Sequence, residues 1–219
     1  MPGWKVAKPP KLQPAGTPVI EPLAEGTQLQ RVHGGHPAHL FNPTAQPSRL
    51  DGGRFDSLDG SFAYTYLGDT DQVAVAERLC RDLPHGGAAR LVLKADVVGK
   101  RLSTVEVSRD LRVLVLHGAA LTQVGATLDL TKCEADQYEI TRAWAVALRT
   151  WFPDVDGFRY RPRHDEDRLA WVLFDDGETA PNPRARGALR TIGTPELLDQ
   201  EPGLTRVRST LRLYNATLS

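Results

Sequence analysis

Apolar positions recur with two periods along this chain, and the switch between them marks the expected elements. Leu29 to His33, Ser61 to Leu67, Ala89 to Val97, Arg101 to Val107, Leu111 to Leu116, Phe158 to Tyr160 and Leu169 to Phe174 carry short β-branched and aromatic runs that predict strands. Val73 to Leu83 follows the capping candidates Asp69-Thr70-Asp71 and stops at Pro84 and Gly86-Gly87, as a helix would. Asp136 to Phe152 repeats Ile140, Trp144, Ala147, Leu148 and Trp151 at helical spacing, with Pro153 behind it. Thr194-Pro195-Glu196 suggests the start of a short helix. From Thr205 to Tyr214, Val207, Ser209, Leu211 and Leu213 alternate with Arg206, Arg208 and Arg212, which suits a half-buried strand.

Strands do not alternate regularly with long crossover helices. The expected fold is therefore α+β, with a mixed, mainly antiparallel sheet flanked by helices. Residues 1–26 hold six prolines and read as an extended N-terminal arm ahead of one domain over 27–219. Between His33 and Arg54 the chain is loop-like, rich in Gly, Pro, Asn and Asp.

Charge narrows the function. Lys plus Arg and Asp plus Glu are 27 each, which argues against nucleic acid, where a basic excess must neutralise phosphates. A local basic pocket for a small anion stays open. The longest apolar stretch, Leu111 to Leu130, is interrupted by Arg112, His117, Gln123 and Asp129, so no membrane span is expected. The lysine-bearing N-terminus lacks the apolar run of a secretory leader, and two cysteines, Cys80 and Cys133, make no disulfide framework; a cytoplasmic protein is the expectation. Gly-rich phosphate loops of the P-loop and Rossmann kinds and a Gly-x-Ser-x-Gly elbow are missing from the sequence. His33, His36 and His39 in HGGHPAH are spaced as metal ligands could be, but no Cys pair or His-Glu-x-x-His helix accompanies them, and no metal site is expected.

Four residues in the first half carry candidate chemistry. Glu77 stands at the edge of the apolar stripe of its helix, from which a carboxylate can reach a cleft; it is equally placed for a surface pair with Arg81 at i, i+4. Arg54 follows Gly52-Gly53, whose flexibility lets a guanidinium approach an anion closely, or simply forms a solvated turn. Arg31 ends a strand, and Tyr66 lies within one. Singly, each fits an ordinary structural role as well as a functional one.

Taken in order, Leu29-Gln30-Arg31-Val32-His33, then Gly52-Gly53-Arg54-Phe55, then Tyr66 eleven positions ahead of Glu77, resemble the RES-domain family, named for its Arg, Glu and Ser positions. The helix over Tyr138 to Trp151, Asp156-Gly157-Phe158-Arg159-Tyr160 and the strand at Leu169 to Phe174 are similar to that family's C-terminal half, so the resemblance spans about residues 27–176. It implies a fold similar to ADP-ribosyltransferase toxins, NAD as a consumed substrate rather than a cofactor, and, as in many members, a toxin held by a Xre-type antitoxin. Carried over, Arg31 and Arg54 would hold the phosphates or the nicotinamide ribose; His33, from its place in the histidine loop, is a further candidate to touch substrate. Tyr66 would pack on the nicotinamide or ribose, and Glu77 would stabilise positive charge at the anomeric carbon. Inorganic phosphate or water would be the acceptor.

One position departs. The family carries Ser in a Tyr-x-Ser-Arg-like run, and here Tyr160-Arg161-Pro162-Arg163-His164 puts Pro162 in its place. Arg161 and Arg163 are the candidates to compensate, unless they form a solvated face balanced by Asp165, Glu166 and Asp167. Transfer of ADP-ribose to a macromolecule, or a nucleotide- or partner-binding domain without turnover, are the alternatives to NAD cleavage.

Overall fold

The computed structural model describes residues 5–46, 52–83 and 90–219. An eight-stranded sheet organises them. Its strands are β1 (Ile20–Leu23), β2 (Gln28–His33), β3 (Ala63–Gly68), β5 (Arg101–Val107), β6 (Leu111–Leu116), β7 (Gly157–Tyr160), β8 (Ala170–Asp175) and β9 (Leu189–Leu197). They lie in the order β1-β6-β7-β8-β3-β2-β5-β9. A separate parallel pair joins β4 (Leu91–Val92) to β10 (Thr217–Leu218).

Every neighbour pair in the large sheet is antiparallel except β6 with β7. A parallel pair needs a crossover. Here it runs through α3 (Ala120–Gln123), α4 (Asp129–Lys132) and α5 (Tyr138–Trp151). The result is the expected mixed, mainly antiparallel α+β architecture. The proline-rich arm contributes β1, and Val6 packs in the core beside α5, where the Trp144 indole donates to the Ala7 carbonyl at 2.7 Å.

Strand alternation feeds two faces of the sheet. On β8, Ala170, Val172 and Phe174 pack toward Trp144, Ala145 and Leu148 of α5. Trp171 and Leu173 face the other way, onto Leu29, Val105, Val107, Leu111 and Val113, so the sheet curls around this second set. Helix α1 (Asp71–Leu79) and helix α6 (Gly203–Leu213) share a third cluster built on Val75, Ala76, Leu102, Val207 and Leu211. Thr70 caps α1, its side chain accepting from the Val73 amide at 3.3 Å. The helix ends at Leu79, ahead of the expected stop; Pro84 and Gly86-Gly87 lie outside the described residues.

Three expectations are corrected. Thr205 to Leu213 is helical, with Tyr214 as its C-cap: Gly203, Val207, Thr210 and Leu211 are the helix's buried side and Leu213 is exposed. Val207 and Leu211 are four apart, a spacing that satisfies both a period of 2 and a helical turn, so alternation alone could not separate the two. Thr194-Pro195-Glu196 lies inside β9, on the sheet's edge. The pairing slips there, between Leu102 and Thr104 of β5, and an edge irregularity tolerates proline. The run ending at Val97 is strand only at Leu91–Val92 and turns into the short helix α2 (Lys94–Val97).

Candidate active site

The Gly-Gly-Arg-Phe segment folds as a tight turn held by side chains from two directions. Gly52 has φ +75°, open to glycine at little cost, and a Cβ on Gly53 would sit 2.6 Å from the Tyr66 hydroxyl oxygen. From one side Asp56 accepts the Gly53 amide at 2.6 Å and the Tyr66 hydroxyl at 2.7 Å, while that hydroxyl accepts the Phe55 amide at 2.8 Å. From the other side α5 reaches in. Thr141 donates to the Arg54 carbonyl at 2.6 Å, and the Arg142 guanidinium donates to the carbonyls of Gly53 at 3.0 Å and Gln46 at 2.7 Å. Thr141 and Arg142 are fully buried, although an apolar stripe would have left them out.

This scaffold presents Arg54 from a buried position, 1% exposed. Its guanidinium lies 5.3 Å from the Tyr138 ring centre and makes one long hydrogen bond, 3.4 Å, to the Cys133 carbonyl. Nε has no protein partner. Burial works against the charge, but Tyr138, Cys133 and then Glu77 outweigh it, so the group stays cationic. A buried cation with so few acceptors is poised for an anion.

Glu77 extends from α1 and accepts a hydrogen bond from the Tyr160 hydroxyl at 2.6 Å. Tyr160 is fully buried on β7, its ring edge-on to Phe55 at 5.5 Å. Burial, with Glu77 second, pushes the phenol well up, so it remains a donor. The alternative pairing with Arg81 does not form. Arg81 instead binds Asp82 at 2.7 Å and stacks 5.5 Å from the Tyr138 ring.

Arg31, His33, Arg54, Tyr66 and Glu77 line one cleft of about 370 Å³, within the range of small-molecule sites. Asp56, Arg78 and Arg81 share its wall. Strand alternation points Arg31 and His33 to the buried side of β2. The Arg31 guanidinium is already engaged by the carbonyls of Ala38 and Leu40, and burial pushes its pKa down to about 10. Arg31 thus shapes the loop over the cleft as well as lining it. His33 is held through Nε2 by the Ser103 hydroxyl at 2.8 Å, and burial, then Arg31, lowers its pKa. His39 meets Thr191 at 3.0 Å instead of joining His33.

Arg161 and Arg163 do not line the cleft. Arg163 donates to the Arg81 carbonyl at 3.0 Å and to Glu134 at 2.8 Å, buttressing the end of α1 from behind. Pro162 is also outside the cleft; its carbonyl is held by the buried Lys132, which pairs with Glu166. The serine that does approach the site, Ser103, lies opposite Arg31 on β5 and could not be placed there from sequence distance. Asp56 and Tyr160 were also missed. Asp56 stands two residues after Arg54, and Tyr160 falls on the inward parity of its strand, but neither cue names a partner.

An α+β fold thus frames a cationic cleft with two hydrogen-bonded carboxylates, Asp56 and Glu77. The RES domain matches residues 28–191, three quarters of the chain, and the chain belongs to the RES-domain family. Among solved structures, the M. tuberculosis MbcT–MbcA toxin–antitoxin complex contains a chain with the same fold, at 20% identity and a TM-score of 0.50, over 83% of this chain and 91% of that one. No curated protein matches the chain.

Proposed function

We propose that the cleft binds NAD and breaks its nicotinamide–ribose bond, with inorganic phosphate or water as acceptor. One observation carries this reading: a carboxylate fixed by Tyr160 and a buried, under-satisfied Arg54 face the same cleft. Departure of nicotinamide takes the bonding electron pair with it and leaves an oxocarbenium-like ribose. A carboxylate held beside that carbon favours the transition state over the ground state, and no reorganisation is needed when charge appears. Arg54 anchors an anionic part of the substrate, and the Tyr66 ring, its hydroxyl tied to Asp56, offers a flat surface to nicotinamide or ribose. A water oxygen then bonds to the anomeric carbon and loses its proton to solvent, whereas a phosphate anion bonds through an already deprotonated oxygen.

Family membership and the toxin–antitoxin complex of the structural relative support a toxin restrained by a protein antitoxin, of Xre type by the resemblance and acting in the cytoplasm on this reading. The deciding experiment incubates the protein with NAD, with and without inorganic phosphate, and follows free nicotinamide. Release under either condition is expected, and phosphate dependence identifies the acceptor. No release under both would sink the reading. Label from NAD retained on protein would mark a transferase.

A further inference from the structure

The cleft carries more positive charge than its own carboxylates answer. Arg31, Arg54, Arg78 and Arg81 line it, against Asp56 and Glu77. Three of the four arginines have protein partners: Arg31 the carbonyls of Ala38 and Leu40, Arg81 the Asp82 carboxylate, Arg54 the Cys133 carbonyl. The carboxylates are occupied too, Asp56 by Gly53 and Tyr66, Glu77 by Tyr160. Arg78 makes no hydrogen bond or ion pair among the described residues. It follows Glu77 directly in the last turn of α1, and its side chain is exposed at the cleft wall. Asp96, Asp82 and Asp56 act on this guanidinium only through space, so its hydrogen-bonding fork is open. Its planar fork matches the paired oxygens of a phosphoryl group.

We infer that Arg78 is the phosphate-anchoring residue of the cleft, taking the outer anionic group of the ligand while Arg54 serves the buried end. The inference rests on the NAD reading for its ligand, but it concerns binding and can be tested without turnover. The phosphoryl group could come from the dinucleotide's diphosphate or from inorganic phosphate as acceptor.

Calorimetric titration of the full chain with ADP-ribose, and separately with inorganic phosphate, tests this in wild type, Arg78→Gln and Arg78→Lys. Arg78→Gln is expected to weaken ADP-ribose binding at least tenfold in phosphate-free buffer, with part recovered in Arg78→Lys. Weakening confined to inorganic phosphate would assign Arg78 to the acceptor. Unchanged affinity for both, or an equal loss in Arg212→Gln, which removes an exposed cation outside the cleft, would overturn the inference. Thermal melting verifies that each variant is folded. Nicotinamide release is measured in parallel: if wild type releases none while Arg78→Gln still loses affinity, the enzymatic reading fails and the anchor stands.

Discussion

The Tyr160 hydroxyl donates to the Glu77 carboxylate across 2.6 Å, tying β7 to α1 at the cleft. This bond orients one carboxylate oxygen, Oε2, and the carboxylate lines the cleft. Glu77→Gln should lower nicotinamide release about 10²–10³-fold, the usual scale for losing one preorganised electrostatic group. Tyr160→Phe keeps the ring packing and removes the donor, so it should cost about ten- to a hundredfold, as a hydrogen bond to a charged group would. Steady-state nicotinamide assays check both, and wild-type rates in Glu77→Gln would refute the assigned role.

Gly53 has no room for a side chain, since a Cβ would meet the Tyr66 hydroxyl oxygen at 2.6 Å and Asp56 Oδ1 at 2.7 Å. Gly53→Ala should therefore displace Tyr66 and Arg54 together and destabilise the domain by about 1–3 kcal/mol, the range for overpacking. A lower urea midpoint at unchanged slope is the expected readout. A variant as stable and as active as wild type would show that the turn is not held as described.

Arg142 is fully buried and supports the same turn through two carbonyls. Arg142→Met preserves much of the volume but leaves those carbonyls unpaired, at about 1–3 kcal/mol for each buried acceptor. Ligand binding should weaken as well, because the Arg54 backbone loses its support. Urea denaturation and ADP-ribose titration on one preparation separate the two effects.

His33 supplies a pH dependence of stability. Burial, then Arg31, lowers its folded pKa below the ordinary 6.5. As pH falls below that value the unfolded chain takes the proton first, so stability drops between about 6.5 and the folded pKa. Above that window this residue adds no slope. Urea midpoints at pH 7.5 and 5.5 should differ less in His33→Gln than in wild type. An equal difference would mean that other groups set the acid sensitivity.

Much of the fold was legible because local pattern and tertiary burial agree. Leu29, Arg31 and His33 share one parity and form the buried side of β2; Arg101–Val107 and Leu111–Leu116 form β5 and β6 at the expected bounds. Thr70 caps α1, and the helix before Pro153 is α5. Where a pattern fits two periods, as at Val207 and Leu211, the sequence could not choose, and packing against α1 settled the helix. The residues Arg31, Arg54, Tyr66 and Glu77 were likewise readable by type and order.

Their partners were not readable, because those are set by contacts between distant segments. Glu77 stands four residues from Arg81, yet it meets Tyr160, 83 positions away. Arg163, one residue past Pro162, turns behind α1 to Glu134 and the Arg81 carbonyl. Ser103, 70 positions from His33, reaches it because β2 and β5 pair. The sequence by itself determined which charged and aromatic groups exist and which strands and helices carry them. The tertiary structure decided which charges find partners within the protein and which come together along one cleft. Strand pairing and helix packing fix each donor and acceptor in space, and hydrogen bonds form only within about 3 Å of the right partner.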